Sequence, residues 1–137
     1  MEISVIASGS NGNCCLVEEK DVSLLIDAGK SGSEIEMRMD SLGKSMENVN
    51  AVLLTHAHHD HLSGAGVLSR RYDVPIYMTK DVFSEAKLKI GNAEVKNFCV
   101  DKPFRIDGVE VKPVVTSHNV SSCGFIVGKF GLFTDTG

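Results

Sequence analysis

Apolar and polar positions alternate along the first part of the chain in the two-residue period of β-strands. Three strands are predicted there, each bounded by residues that favour turns. A polar, glycine-containing loop at residues 8–13 separates the first two, and a charged hairpin at residues 19–21 separates the second and third. The predicted strands are Glu2–Ala7, Cys14–Glu18 and Val22–Asp27.

Further along, apolar residues recur at intervals of three and four, which predicts three helices. A serine, Ser31 or Ser33, can cap the first, and Thr79 can cap the third. Two glycines, Gly64 and Gly66, weaken the start of the second. The predicted helices are Glu34–Leu42, Leu62–Tyr72 and 80–90.

Short apolar segments between and after the helices predict the remaining strands, and one of them, Ala51–Leu54, is wholly apolar, as is typical of a strand covered on both faces. Strands alternating with helices indicate an α/β sheet protein, with helices on at least one face. We expect residues 1–137 to form one domain. The further predicted strands are Ala51–Leu54, Pro75–Met78, Val95–Val100, Phe104–Ile106, Val109–Val115, Cys123–Val127 and Leu132–Asp135.

The composition is that of an ordinary globular protein, with 42% hydrophobic and 23% charged residues. No apolar run approaches the roughly 20 residues of a membrane span, so we expect no membrane association. The N-terminus lacks the pattern of a signal peptide, and the four cysteines lack a C-x-x-C spacing and are interpreted as reduced. These features predict a cytoplasmic location. The net charge of −4 gives no overall reason to expect nucleic-acid binding.

A dense group of histidines follows the wholly apolar strand. Four of the six residues from His56 to His61 are histidine, and a fifth is Asp60. In an extended segment His56 and His58 project to the same side, where two imidazoles suit Zn²⁺ or a similar ion. Asp60 and His61 can turn towards the same pocket as the chain enters the next helix. The alternation points His59 away, so we expect it not to be a ligand.

Two later residues strengthen the prediction of a metal site. His118 follows a long apolar strand, and Asp135 ends the last predicted strand. Because one peptide segment cannot surround an ion, metal sites draw ligands from the ends of several strands. We therefore expect both residues to lie near the histidine group.

The pattern H-x-H-x-D-H, a later histidine and the sequence T-D-T-G resemble the metallo-β-lactamase superfamily. The segments A-S-G-S-N-G-N-C-C and L-I-D-A-G are similar to its YycJ/WalJ-type group of phosphodiesterases and DNA exonucleases. The resemblance implies an αββα sandwich, of which this chain covers roughly the N-terminal αβ half. The family has a further histidine ligand and a second half downstream, so we expect a domain truncated after T-D-T-G and a second ion one ligand short.

By position in these motifs, the resemblance implies two divalent ions, zinc first, with manganese or iron as alternatives. A bridging hydroxide would be the nucleophile, and Asp60 would orient it or take its proton. Asp27 would orient a ligand rather than coordinate. The implied ligands are His56, His58 and His118 for the first ion, Asp60 and His61 for the second, and Asp135 as the bridge.

Three functions are compatible with such a site. We expect a metal-dependent phosphodiesterase or nuclease acting on DNA or on a small phosphodiester. One alternative is a thioester or lactone hydrolase of the glyoxalase type. The other is a metal-binding half-domain that is inactive without its second half.

The apolar character of two predicted strands also predicts self-association. Ala51–Leu54 and Val109–Val115 offer little that is polar on either face, and helices on one side only would leave the other face exposed. Large exposed apolar patches usually mark an interface. We therefore expect a homodimer that joins two copies through this sheet face.

Overall fold

The structure, a computed structural model, describes residues 1–9, 12–115, 123–128 and 130–133. For His59, Asp60 and residues 130–133 it describes the backbone alone. Helices cover one face of a six-stranded sheet, and a four-stranded sheet covers the other. The predicted α/β class with helices on one face is confirmed.

In both sheets the strands lie side by side in the order in which they occur in the chain. In the six-stranded sheet the first three strands are antiparallel, and the remaining pairs from β3 onwards are parallel. The pairs of the four-stranded sheet are antiparallel. The first sheet contains β1 (Glu2–Ala7), β2 (Cys14–Glu19), β3 (Val22–Ile26), β4 (Ala51–Leu53), β5 (Ile76–Met78) and β6 (Val95–Asn97). The second contains β7 (Phe104–Ile106), β8 (Val109–Val114), β9 (Gly124–Val127) and β10 (Phe130–Phe133).

Side-chain caps set the starts of two helices. Of the two candidate serines, Ser31 is the cap, because its hydroxyl accepts a bond from the Glu34 N–H. Thr79 caps the last helix as predicted. No helix in the described part of the chain is long and apolar enough to cross a membrane. The helices are α1 (Gly32–Ser41), α2 (His59–Leu62), α3 (Ala65–Tyr72) and α4 (Lys80–Ile90), with a 3-10 turn at Met46–Asn48.

Alternation along the central strands divides the interior into two cores. Leu25 and Val52 face the helices, whereas Leu24 and Leu53 face the second sheet. The apolar strand at residues 51–54 is thus covered on both sides, as its sequence predicts.

The prediction that this sheet leaves one face bare is wrong, because the second sheet covers that face. The prediction that β8 is apolar on both faces is also wrong. Its Val109, Val111 and Pro113 are buried, but Glu110 and Lys112, which alternate with them, are exposed. The described strands expose large apolar side chains instead on β1, at the sheet edge. The predicted homodimer therefore loses the surface on which it was based.

The helix predicted over Leu62–Tyr72 is not continuous, because Leu62 ends α2 and the helix α3 begins only at Ala65. The break lies at Gly64, whose N–H donates to the Ala28 carbonyl at 2.8 Å. A Cβ at Gly64 would lie 2.3 Å from the Lys30 carbonyl oxygen, so a side chain does not fit here. The glycine that weakens the helix in the sequence is required because two backbone segments touch at this position.

Gly66 makes a similar contact, which predicts the cost of a substitution. A Cβ at this position would lie 2.1 Å from the Ile90 carbonyl oxygen at the end of α4. Alanine has the better helix propensity by about 1 kcal/mol, but a backbone carbonyl cannot move aside as a flexible side chain can. Gly66→Ala should therefore destabilise the protein by about 3 kcal/mol in urea unfolding.

The exposed neighbouring residue of the same helix provides the control. Val67→Ala should change the free energy of unfolding by less than about 1 kcal/mol. A Gly66→Ala protein as stable as the wild type would contradict the close approach of α3 to α4.

Candidate metal centre

The candidate site lies at the carboxyl ends of two neighbouring parallel strands. β3 pairs with β4 in the register Ile26↔Leu53, so the residues that follow the two strands come together. The Asp27 N–H continues the pairing by donating to the Leu53 carbonyl at 2.7 Å. Asp27 and Thr55 thus lie side by side, although 28 positions separate them in the chain.

The Asp27 carboxylate is buried and accepts hydrogen bonds at both oxygens. The Thr55 N–H donates to Oδ1 at 2.8 Å. The Thr55 hydroxyl and His61 Nδ1 each lie 2.7 Å from Oδ2. Asp27 adopts a left-handed backbone conformation with φ of 64°, which aspartate tolerates better than most residues. The contact that an orienting role for Asp27 requires, a bond to a histidine, is present.

Three imidazole rings gather beside this carboxylate. The ring centres of His56 and His58 lie 5.3 Å apart, and those of His56 and His61 lie 4.7 Å apart. Two imidazoles on a tetrahedral zinc ion have ring centres about 5 Å apart, given Zn–N distances near 2.0–2.1 Å. The spacing of His56 and His58, which the motif assigns to one ion, therefore fits two imidazoles on a shared divalent transition-metal ion. His61 is buried and His58 is exposed, so the group opens to solvent.

Backbone hydrogen bonds hold His61 in place. Its N–H donates to the His58 carbonyl at 2.9 Å, which closes the turn into α2. Its own carbonyl accepts the Ala28 N–H at 2.7 Å. The histidine segment is therefore fixed to the loop after Asp27 by the backbone as well as by side chains.

The other predicted site residues cannot be located as side chains. The backbone of Asp60 and His59 lies in α2, but their side chains are outside the described part. His118 and Asp135 also lie outside the described residues. Among the described side chains, no three histidine, cysteine or acidic groups converge closely enough to enclose an ion. The assignment of ligands stays a prediction.

Thr55 is the residue of this centre that the sequence reasoning missed. It is 1% exposed, and its carbonyl accepts the Cys123 N–H at 3.1 Å, which brings the start of β9 to the histidine segment. The signal that could have identified it is its position, as a lone hydroxyl between a wholly apolar strand and the first histidine.

The negative charge of Asp27 also affects the pKa values of three cysteine thiols. Burial, with a smaller contribution from the Asp27 charge, raises the pKa of Cys15 to about 11 and that of Cys123 to about 12. The same causes raise the pKa of Cys14 well above its usual value. The fourth, Cys99, is exposed, and all four are free, as the sequence predicts.

These shifts predict the order of thiol reactivity. The thiolate is the reactive form, so a raised pKa slows modification at pH 7.5, and the rate rises as the pH increases. Ellman's reagent should modify Cys99 first, and Cys99→Ser should remove the fast phase. A second thiol that reacts equally fast in the native protein would contradict the raised pKa values of Cys14, Cys15 and Cys123.

Sequence comparisons identify the family of the chain. A family model described as the metallo-beta-lactamase superfamily matches residues 7–134. The exodeoxyribonuclease YycJ of Bacillus anthracis is 34% identical over 145 residues, which cover 100% of this chain and 55% of that protein. The exodeoxyribonuclease WalJ of Streptococcus pneumoniae is 31% identical over 144 residues, which cover 98% of this chain and 54% of that protein.

A solved structure shows the same fold. The Rm3 metallo-beta-lactamase superposes with a TM-score of 0.74 at 19% identity, over 91% of this chain and 53% of that enzyme. The chain spans about half the length of the relatives that it matches. The match to the family model over nearly all of its residues shows that the chain belongs to the metallo-beta-lactamase superfamily.

Proposed function

We propose that this chain carries the metal-binding part of a metal-dependent phosphodiesterase that acts on DNA. The observation that carries the proposal is the group of His56, His58 and His61 rings, with Asp27 bonded to His61. Histidine ligands commonly donate their second ring N–H to a carboxylate, which fixes the ring for coordination. The relatives named as exodeoxyribonucleases support DNA as the substrate.

The proposed ligands follow the family motif. Because His61 uses Nδ1 for Asp27, it would coordinate through Nε2. The bond from the Cys123 N–H to the Thr55 carbonyl supports a position of His118 near the site, since the segment that contains His118 ends beside the histidines. We assign His56, His58 and His118 to a first ion, Asp60 and His61 to a second, and Asp135 to both.

The bound ions, Asp27 and Asp60 have different roles in the proposed reaction. When bound, divalent ions, zinc by preference and manganese or iron as alternatives, supply the Lewis acidity that lets water attack a phosphodiester at neutral pH. Asp27 holds the His61 ring in one orientation. Asp60 would accept the proton of the attacking water, since it lies on the same turn as His61.

Thioester or lactone hydrolysis is the second candidate, because ions held by the same residues would polarise a carbonyl group. A third possibility is that the chain binds metal but turns over nothing without the second half of the family's fold.

One assay distinguishes these three functions. Hydrolysis of labelled single-stranded DNA, bis(p-nitrophenyl) phosphate and a lactoyl thioester is measured with zinc or manganese added, beside elemental analysis of bound metal. We expect cleavage of the phosphodiesters. Cleavage of the thioester alone would favour the second candidate, and metal binding without turnover would favour the third. A wild-type chain that binds no metal would refute the proposal.

A pair of variants tests the residue assignment. His58→Ala should lose metal and lower phosphodiester cleavage by at least about 100-fold. Removing a residue that only hydrogen-bonds to a metal ligand costs about 10–100-fold, and removing a ligand should cost more. His59→Ala should retain both metal and cleavage, because His59 occupies an unspecified position of the H-x-H-x-D-H motif. Equal loss in both variants would show that the assignment of ligands is wrong.

A cytoplasmic location and a homodimer are further parts of the proposal. With the second sheet in place, we propose that two copies pair at the exposed apolar side chains of Ile3 and Val5 on the edge strand β1. Light scattering at micromolar concentration tests self-association, and a monomer would refute the homodimer.

A further inference from the structure

The buried hydroxyl of Thr55 connects Asp27 to a second histidine. Its oxygen lies 2.7 Å from Asp27 Oδ2 and 2.9 Å from His56 Nδ1. One carboxylate thus reaches two histidines, His61 directly and His56 through Thr55. The proposed function assigns these histidines to different ions, so a role for Thr55 in metal binding rests on that proposal.

The positions of the hydrogens follow from counting donors. An ionised carboxylate only accepts, and a threonine hydroxyl has a single hydrogen. The distance of 2.7 Å between the hydroxyl and Asp27 Oδ2 is that of a hydrogen bond to a carboxylate. The hydrogen of the Thr55 hydroxyl therefore points at Asp27.

Because the hydroxyl hydrogen of Thr55 is used in the bond to Asp27, the Thr55 oxygen can only accept a hydrogen bond from His56. The bond of 2.9 Å to His56 Nδ1 then needs the hydrogen to be on the ring nitrogen. A neutral imidazole with its hydrogen on Nδ1 has its lone pair on Nε2. His56 would therefore coordinate through Nε2.

His61 also has its hydrogen on Nδ1, because it bonds directly to Asp27. Its Nδ1 lies 2.7 Å from Asp27 Oδ2 but 3.4 Å from the Thr55 oxygen, so its hydrogen belongs to the bond with Asp27. Both histidines consequently direct Nε2 away from the carboxylate.

We propose that Thr55 is a positioning residue, which transmits the acceptor character of Asp27 to His56 and so selects the tautomer that binds metal. The Thr55 backbone supports this role, because its N–H bonds to the other carboxylate oxygen at 2.8 Å. Two bonds between the same two residues fix the direction of the hydroxyl. A residue at position 55 without a hydroxyl would leave His56 Nδ1 without this acceptor.

Two variants and two measurements test the proposal. Thr55→Val removes the hydroxyl with little change of shape, and Thr55→Ser keeps the hydroxyl. Long-range ¹⁵N–¹H correlation spectra of the metal-free chain at about pH 8.5, above the usual imidazole pKa near 6.5, report the tautomer of each histidine. Competition with a chromophoric chelator reports the affinity for zinc.

We expect the wild type and Thr55→Ser to show His56 and His61 with the hydrogen on Nδ1. In Thr55→Val, His56 should shift towards the other tautomer while His61 stays unchanged, and the affinity for the first zinc ion should fall by about 10–100-fold. His58, which takes no part in these bonds to Thr55 and Asp27, is the internal reference and should not change between the variants.

Two results would overturn the role of Thr55. One is a wild-type spectrum with the His56 hydrogen on Nε2, which excludes the role even if Thr55→Val fails to fold. The other is a folded Thr55→Val protein with unchanged tautomers and zinc affinity. A wild type that binds no zinc contradicts the proposed function instead. The spectra of the metal-free chain still test whether Thr55 sets the tautomer of His56.

Discussion

Replacing Asp27 with alanine should destabilise the metal-free protein by at least about 4 kcal/mol, since buried hydrogen bonds to a charged group contribute about 1.5–3 kcal/mol each. Three donors, two on Thr55 and one on His61, lose their acceptor in this variant. Alanine also tolerates the left-handed backbone at this position less well than aspartate. Unfolding in urea, followed by circular dichroism in the presence of a chelator, measures the loss.

Asp27→Asn is the matched control for the backbone conformation. Asparagine tolerates the positive φ, and its amide oxygen can still accept the Thr55 N–H. Its amide group, however, would direct hydrogens at the Thr55 hydroxyl and at His61, which are themselves donors. We expect an intermediate loss of about 2 kcal/mol. An Asp27→Ala protein within about 1 kcal/mol of the wild type would contradict the network around this carboxylate.

Zinc should raise the melting temperature of the chain by about 10 °C. An ion that binds only the folded state contributes about 4 kcal/mol when its concentration is 1,000 times the dissociation constant. For a domain of this size each kcal/mol shifts the midpoint by a few degrees. Differential scanning calorimetry with zinc, and then with excess chelator, measures the shift.

His58→Ala provides the comparison for that measurement. This exposed side chain contributes little to the apolar core, so the metal-free variant should melt close to the metal-free wild type. The zinc-induced shift, in contrast, should largely disappear. A wild type that melts at the same temperature with zinc and with chelator would contradict the metal site.

The sequence was sufficient to predict most strands and two of the helices. Their signals are local, because alternation and capping act within a few residues, as in β7 and at Thr79. Errors at the ends have local causes as well. The predicted helix Glu34–Leu42 includes Leu42, but this residue lies one position beyond the end of α1 and is half exposed.

The arrangement of the sheets was not predictable by the same means. Periodicity shows that Leu24 and Leu53 are apolar, but it does not show that a second sheet packs on them. The break at Gly64 has a similar origin, because the contact with the Lys30 carbonyl joins segments that are distant in the sequence. Long-range packing decides these features, and a local pattern does not contain it.

The candidate site was predictable only in part from the sequence. The histidine segment and Asp27 were found from motifs, which record residue types and spacing. Thr55 was not found, because a single hydroxyl has no motif of its own and acquires its importance only through bonds to Asp27 and His56. The positions of His118 and Asp135 relative to the other ligands stay a prediction.

The sequential order of strands in both sheets has a consequence for biosynthesis. Within each sheet, every strand after the first pairs with the strand that precedes it in the chain, so the six-stranded sheet can form in the order in which the ribosome releases the chain. The face of this sheet that contacts the second sheet is covered last, because Leu24 and Leu53 are buried only when β8 and β9 pack on them. Until those strands have emerged, the nascent chain presents an apolar sheet face to water. At that stage chaperone binding and aggregation compete with folding.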